Sequence, residues 1–443
     1  MSDALAERAP PSPASANPAP AGAYRWYVVA VLILAYTFSY IDRSILTLMV
    51  GPIRASLGIS DVELSLLHGL AFAVFYTFLG VPIGRLVDRR RRTTIIAVGV
   101  GVWSAMTALC GLAQNFGQMF LARIGVGVGE AALSPAAYST LSDWFEGKQL
   151  TRALSLYNSA IYVGSGLATM VGGALIASVP PVSTALTGPM EPWRVVFMVV
   201  GLPGFLIALL VLALREPERR GLKSPDIPSF PAVLAYLWAR KGAFGWLIGG
   251  LSISSLMWNG VIAWVPAHFM RNFGWTPSEV GARYGLALIL CGSGGVIFGG
   301  WLAGVLRDRG RHDSNVLIGV ISALGALPFG VAAPLMSTGA ASLTLFCGFL
   351  FFGTLPYGGA AAALQEMTPN RMRGQVTAIY LFCVNLIGIG LGPMIVALFT
   401  QHVFGGDASV RYSVATVVAL VAPLSAVAMA LACRSAPRLV GEA

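Results

Sequence analysis

The stretch Gly80-Val81-Pro82-Ile83-Gly84-Arg85-Leu86-Val87-Asp88-Arg89 has a second copy 220 residues further on, Gly300-Trp301-Leu302-Ala303-Gly304-Val305-Leu306-Arg307-Asp308-Arg309. Both copies keep two glycines, a leucine and an Asp-Arg pair. Each closes an apolar run and opens into a basic loop. One GxxxG alone is weak, because small residues occur wherever helices pack closely. A multi-position echo at the end of an apolar run in both halves of a chain is the signature of an internal repeat. A second echo sets Arg152-Ala153 against Arg373-Gly374.

The composition around these copies decides the class. Hydrophobic residues make up 56% of the 443 residues and charged residues only 11%, against about a quarter charged in a soluble domain. The charges are clumped and leave long apolar runs, several of them holding one or two of the ~20-residue stretches that cross a bilayer. Breaks at charges, prolines and glycine clusters predict twelve spans, near 26–50, 64–86, 94–113, 117–141, 153–178, 194–214, 244–269, 281–306, 315–336, 341–365, 375–402 and 411–433. The expectation is an all-α polytopic membrane protein, with a disordered, Pro-, Ala- and Ser-rich tail at 1–23. A first bundle of six helices covers 24–215, a proline-rich linker 216–243, a second six-helix bundle 244–433, and a short tail 434–443.

An even number of spans puts both termini on one side. That side carries 22 of the 29 Lys and Arg residues. Only Arg54, Arg194, Arg271, Arg283 and Arg411 fall on the other side, and Arg43 and Arg123 lie within spans. The positive-inside rule then makes the termini cytoplasmic in an inner (plasma) membrane. The net charge of +10 is therefore topogenic, and no nucleic-acid partner is expected. The five cysteines lie in apolar segments without metal or disulfide spacing and read as small buried residues. His68, near the outer end of the second span, reads as a packing residue or a proton relay. Gly125, Gly127 and Gly129 lie within a span with no strand before them, so they read as a helix-packing face and not as a phosphate loop.

Charges inside spans are expensive and mark function by default. Span 1 carries Asp42 and Arg43; span 4 carries Arg123 and Glu130. At about 1.5 Å per residue, Asp42 and Arg123 lie at similar depth, which predicts that they pair. Glu130, seven residues on, lies on the same helix face about 10 Å deeper, where Arg43 or a substrate would meet it. A static network that only holds the two spans together is the plainer alternative. Spans 7 and 10 hold no matching charges, which favours a carboxylate that takes a proton and a cation that holds an anion. Asp42 and Glu130 are thus the candidate proton-coupling residues. The candidate substrate-binding residues are Arg43, Arg123 and Glu130, with Trp258 and Tyr357 as an apolar wall.

The repeated stretch, reading Gly84, Leu86, Asp88, Arg89, Arg91 and Arg92 in its first copy, resembles the hallmark of the major facilitator superfamily, with Arg91 where a glycine is usual. Spans 1 to 5 further resemble spinster transporters through Tyr40-Ile41-Asp42-Arg43, Arg123-x-x-x-Gly127-x-Gly129-Glu130-Ala131 and Gly164-Ser165-Gly166-Leu167. The resemblance implies two bundles around a central cavity, alternating access, no cofactor, and a monomer bathed in membrane lipids. It also implies a gating role for Gly84, Asp88, Arg89, Gly304, Asp308 and Arg309. Asp88 would approach the start of span 11 near Gly374, and Asp308 the start of span 5 near Thr151, when the cytoplasmic side closes. Spinster proteins are associated with sphingosine 1-phosphate, lysophospholipids and related amphiphiles, so a proton-coupled lipid transporter is the leading reading. Multidrug efflux and symport of a small organic anion are alternatives. The span-5 glycine run lacks the Gly-Pro typical of drug/proton antiporters; here Gly392-Pro393 lies in span 11. A membrane-embedded enzyme finds no support in a nucleophile motif, metal cluster or phosphate loop, and a sensor lacks a signalling domain.

Overall fold

The computed structural model describes residues 22–180, 182–184, 188–219, 228–311, 313–369 and 371–435. Most of the predicted tails and the middle of the linker lie outside the described residues. Among those described, eleven helices are long and apolar enough to cross a membrane. Span 1 is Gly22–Leu48, continued by Val50–Leu57. Span 2 runs through Asp61–Ser65, Leu66–Leu70 and Ala71–Arg89. Span 3 is Arg92–Cys110, span 5 Gly147–Ser178, and span 6 Pro192–Gly201 followed by Pro203–Leu212. In the second half, span 7 is Lys241–Phe273, and span 8 joins Pro277–Ala287, Leu288–Gly292 and Ser293–Asp308. Span 9 is Ser314–Ala332 and span 10 Gly339–Thr354. Span 11 runs from Arg373–Asn385 to Phe399–Phe404, and span 12 is Val410–Ser435.

The span predicted at 117–141 is present as two pieces, Phe116–Glu130 and Leu133–Trp144, joined at Ala131 and Ala132. Pro135 accounts for the interruption: it has no N–H for the Ala131 carbonyl, and its ring collides with that carbonyl in a straight helix. Glu130 is thereby the last residue of a helix in mid-span. Pro356 similarly tightens the end of span 10 into Leu355–Gly358. The linker expected at 216–243 contains a helix, Phe230–Ala239, pinned to the second bundle by the Tyr236 hydroxyl on the Met367 carbonyl. A two-strand hairpin, β1 (Val182–Thr184) and β2 (Gly188–Met190), joins spans 5 and 6.

The two bundles meet along spans 5 and 8 and along spans 2 and 11, and glycine makes both seams possible. A Cβ on Gly173 would collide with the Pro277 carbonyl oxygen, and one on Gly281 would lie 2.7 Å from that of Thr169. On the other seam, a Cβ on Gly69 would lie 2.5 Å from the Ile389 carbonyl oxygen. Each seam passes through a widened, π-type turn: Leu66–Leu70 against Leu386–Leu391, and Leu288–Gly292 beside span 5. The turns in spans 2 and 8 sit at nearly equivalent places in the repeat. Such turns mark functional sites more often than chance.

Away from the termini the halves are also tied by charge. Arg271 of span 7 grips Asp61 of span 2 with two hydrogen bonds of 2.7 and 2.8 Å. Arg54 reaches the same aspartate at 3.1 Å and Asp407 of the second half at 2.6 Å. The seams and this cluster close the side of the molecule opposite the ends of the described chain, Gly22 and Ser435.

Candidate functional site

Asp42 is buried in span 1, 2% exposed. Its Oδ2 accepts the Thr107 hydroxyl of span 3 at 2.5 Å, and its Oδ1 lies 3.4 Å from Nη1 of Arg123. Arg123, 1% exposed, also donates from Nε to the Leu67 carbonyl at 3.5 Å, beside the widened turn of span 2. The predicted pair is present, and it links spans 1, 2, 3 and 4. Thr107 has no distinguishing mark in the sequence, because hydroxyls inside spans commonly bond to their own helix, as Thr107 also does to Trp103.

One helical step on, Arg43 faces Glu130. The Glu130 Oε2 accepts Nε of Arg43 at 2.7 Å, the Arg43 Nη2, and the Ser39 hydroxyl at 2.5 Å. The second oxygen, Oε1, is buried and has no hydrogen-bond partner among the described residues. The guanidinium lies over three rings, 4.3 Å from the centroid of Phe72, 5.1 Å from Tyr40 and 5.3 Å from Tyr76. Rings at these distances attract a cation through their quadrupoles. The Arg43 side chain keeps 18% exposure, whereas Arg123 and Glu130 keep 1% each. Arg43 is therefore the intramembrane charge with an open face. Phe72 and Tyr76 went unread in the sequence, although the spacing of Tyr36, Tyr40 and Arg43 does set an aromatic stripe beside the cation. Tyr36 stacks on Tyr157 at 4.8 Å and meets Tyr40 edge-on at 5.3 Å, so the stripe continues into span 5.

The second half offers aromatic surface. Trp258 stacks on Phe349 at 6.0 Å, and Tyr357, 43% exposed, stands edge-on to both Trp258 and Tyr162 of the first half at 6.3 Å. Asn259 spends its amide on Ser255 of its own helix. His68 sits in the widened turn of span 2 with its Nδ1 buried and without a partner among the described residues. The glycines of span 4 do pack helices: Gly127 against the Phe72 backbone, Gly129 against Gly99 and Trp103.

At the side carrying the termini, Arg89, Gly304, Asp308 and Arg309 are exposed, and open space surrounds the Cα of Gly84, Gly304 and Gly374. The side chains of Asp88 and Thr151 lie outside the described residues. Arg92 corrects the reading of this loop as uniformly topogenic. It is 1% exposed and joins the start of span 3 to Asp143 at the end of span 4 and, at 2.8 Å, to Glu216 after span 6. Burial raises the Glu216 carboxyl, but hydrogen bonds from the Arg92 side chain and from the Thr93 and Arg92 amides outweigh it. They hold the group below its ordinary value. The sequence signal was available in a carboxylate closing each of spans 4 and 6, opposite a run of arginines.

The family profile described as Major Facilitator Superfamily matches residues 32–393. The chain belongs to that superfamily. This transporter, not an enzyme by kinship, is 28% identical over 384 residues to an MFS-type efflux pump of Mycolicibacterium smegmatis, covering 85% of this chain and 84% of the pump. It is 27% identical over 402 residues to the protein spinster of Drosophila melanogaster, covering 86% of this chain and 63% of that protein. Its fold is similar to the crystal structure of a bacterial homolog of the human lysosomal transporter spinster, in an inward-facing and unoccupied conformation. There the TM-score is 0.78 at 26% identity, over 95% of this chain and 98% of the other. The transporter is thus spinster-like in sequence and in architecture, and its fold is consistent with alternating access.

Proposed function

We propose that this spinster-like transporter moves an amphipathic lipid, such as a lysophospholipid or sphingosine 1-phosphate, across an inner (plasma) membrane in exchange or symport with protons. In this reading both termini are cytoplasmic and the working unit is a monomer. The observation that carries it is the divided Glu130 carboxylate, with three donors on Oε2 and, among the described residues, none on Oε1. An unsatisfied polar atom in a dry site costs about 1–3 kcal/mol. A proton delivered to Oε1 neutralises the carboxylate and loosens its hold on Arg43. The released guanidinium, already open on one face, can then take an anionic head group. Loss of the proton returns Arg43 to Glu130 and ejects that group. Asp42 and Arg123 serve as a second charge pair whose balance the moving proton disturbs. Gly84, Asp88 and Arg89, with Gly304, Asp308 and Arg309, form the cytoplasmic gate.

The one-sided distribution of charge supports a substrate with one charged end. The second half presents Trp258 and Tyr357, and an acyl chain gains about 0.8 kcal/mol for each CH₂ kept from water. Kinship to an efflux pump supports a competing reading, multidrug efflux past the same charged centre. Uptake of labelled lysolipid into proteoliposomes, with and without a pH gradient, tests the coupling. A series of shortening chain lengths on a fixed head group tests the substrate: affinity should fall with each carbon removed, and affinity independent of chain length overturns the lipid reading.

A further inference from the structure

A groove of about 550 Å³ lies on the flank of the first bundle, walled by spans 2 and 3 and floored by span 4. Its floor is low because Gly99 and Gly129 bring two backbones together: a Cβ on Gly99 would lie 2.6 Å from the Gly129 carbonyl oxygen and 2.7 Å from the Ala132 Cβ. Its rims carry exposed apolar side chains, with Val98 60% and Leu86 46% exposed. Arg90 and Arg91 stand at the end where the spans 2–3 loop emerges. Both are exposed, and among the described residues neither makes a salt bridge to a carboxylate. The volume falls in the range of small-molecule sites, about 300–1,000 Å³.

The dimensions match one leaflet. From Arg91 to Val102 the helix rises about 16 Å at 1.5 Å per residue, close to half of the ~30 Å hydrocarbon core. The groove therefore starts at the head-group level with two cations and ends near the bilayer centre with only apolar and glycine lining. A soluble anion would have no use for the apolar length, and a neutral lipid none for the arginines.

We propose that this groove is a binding site for one anionic phospholipid of the surrounding bilayer. Its phosphate would sit between Arg90 and Arg91, with one acyl chain along Val98 and Val102. The site is separate from the Arg43–Glu130 centre, and the proposal stands whichever substrate the transporter carries. Occupancy would press on span 4 at Gly129, beside Glu130, and at Ala132, within the interruption that follows it, so a bound lipid has a direct mechanical route to the charge pair.

Native mass spectrometry of the full-length protein, released from detergent with equal amounts of phosphatidylglycerol and phosphatidylcholine, tests the site. A basic residue near the membrane surface favours an anionic lipid by roughly fivefold, so two predict a preference of about 25-fold for phosphatidylglycerol. Arg90→Gln with Arg91→Gln should bring the two lipids to parity. Val98→Trp, which fills the groove from an exposed position, should lower retention of phosphatidylglycerol by the protein that keeps both arginines. Helical circular dichroism and a matching melting temperature establish that each variant is folded before it is scored. Equal retention of both lipids by the unaltered protein overturns the proposal. So does an undiminished preference in the double variant, or unchanged retention in Val98→Trp. Displacement of the lipid by an equal concentration of glycerol 3-phosphate also overturns it, because the anion alone would then suffice.

Discussion

Arg43 and Glu130 are joined through a single carboxylate oxygen, Oε2, which Ser39 also occupies, while Oε1 of the same group is buried without a donor among the described residues. A purely structural ion pair gains most when both oxygens are satisfied. The lopsided arrangement holds the cation and leaves one buried oxygen without a donor among the described residues, the place the proposed function gives to a proton.

Glu130→Gln should leave the fold intact and abolish accumulation driven by a pH gradient. The amide that replaces the carboxylate is neutral at all times, so its hold on Arg43 can no longer change with a proton. Downhill exchange should therefore persist while gradient-driven uptake falls by roughly tenfold or more, the effect of about 1.4 kcal/mol. Reconstituted transport with an imposed gradient is the measurement. Full gradient-driven uptake by this variant would remove Glu130 from the coupling step.

Asp42→Asn should be costlier to the fold. It keeps a partner for Thr107 but leaves Arg123 charged and enclosed, and breaking one side of a buried pair costs about 3–5 kcal/mol. Thermal unfolding in detergent should show a clear drop. The double change Asp42→Asn with Arg123→Gln should recover part of it. Equal stability of the single variant and the unaltered protein would show that the 3.4 Å contact carries little.

The knot at Arg92 should respond to acid. Glu216 has a lowered value in the folded protein, so its contribution is fully present above its ordinary value of 4.5 and is lost as pH falls through the folded one. Hydrogen exchange at the start of span 3 should accelerate in that acid range, and Glu216→Gln should flatten the pH dependence. An unchanged acid response in Glu216→Gln would assign it to another group.

The cluster opposite the termini should hold that side shut. Asp61 receives both Arg271 and Arg54, so Asp61→Asn weakens the ties of two cations at once. Spin labels on the exposed residues Ala55 and Thr276, one in each half, should report a longer and broader distance distribution in Asp61→Asn. An identical distribution would leave closure to the glycine seams alone.

The architecture was readable because the bilayer imposes it: apolar runs of fixed length and a repeated motif leave few other folds. The charged centre was readable for the same reason, since Asp42, Arg43, Arg123 and Glu130 are conspicuous where charge is costly. What they bond to was not. Ser39, Thr107, Phe72 and Tyr76 are ordinary residues of membrane helices, and only the helix rotations bring them to the charges. Arg92 was hidden among its neighbours Arg89 to Arg91, which differ from it in burial and not in kind. Pro135 did announce the interruption of span 4, but a proline that breaks a helix in mid-span leaves the apolar run continuous on both sides of it.

The seams between the bundles bear on the energy of switching. Fully withdrawing a Leu or Phe from an apolar contact costs about 1.5–3 kcal/mol. An interface built from such side chains across two helix pairs would lock the molecule in one state. Where Gly173 meets Pro277 and Gly69 meets Ile389, contact is backbone against backbone, while Ile289 against Gly166 and Met170 against Gly285 add side-chain contact along the seam of spans 5 and 8. Closure there is selective in shape, and in the cycle proposed above a proton at Glu130 and the ion pairs at Asp61 would tip it. Gly281→Leu, which would wedge the seam, should then stall the cycle with the Asp61–Arg271 side open, read as a longer distance between spin labels at Ala55 and Thr276.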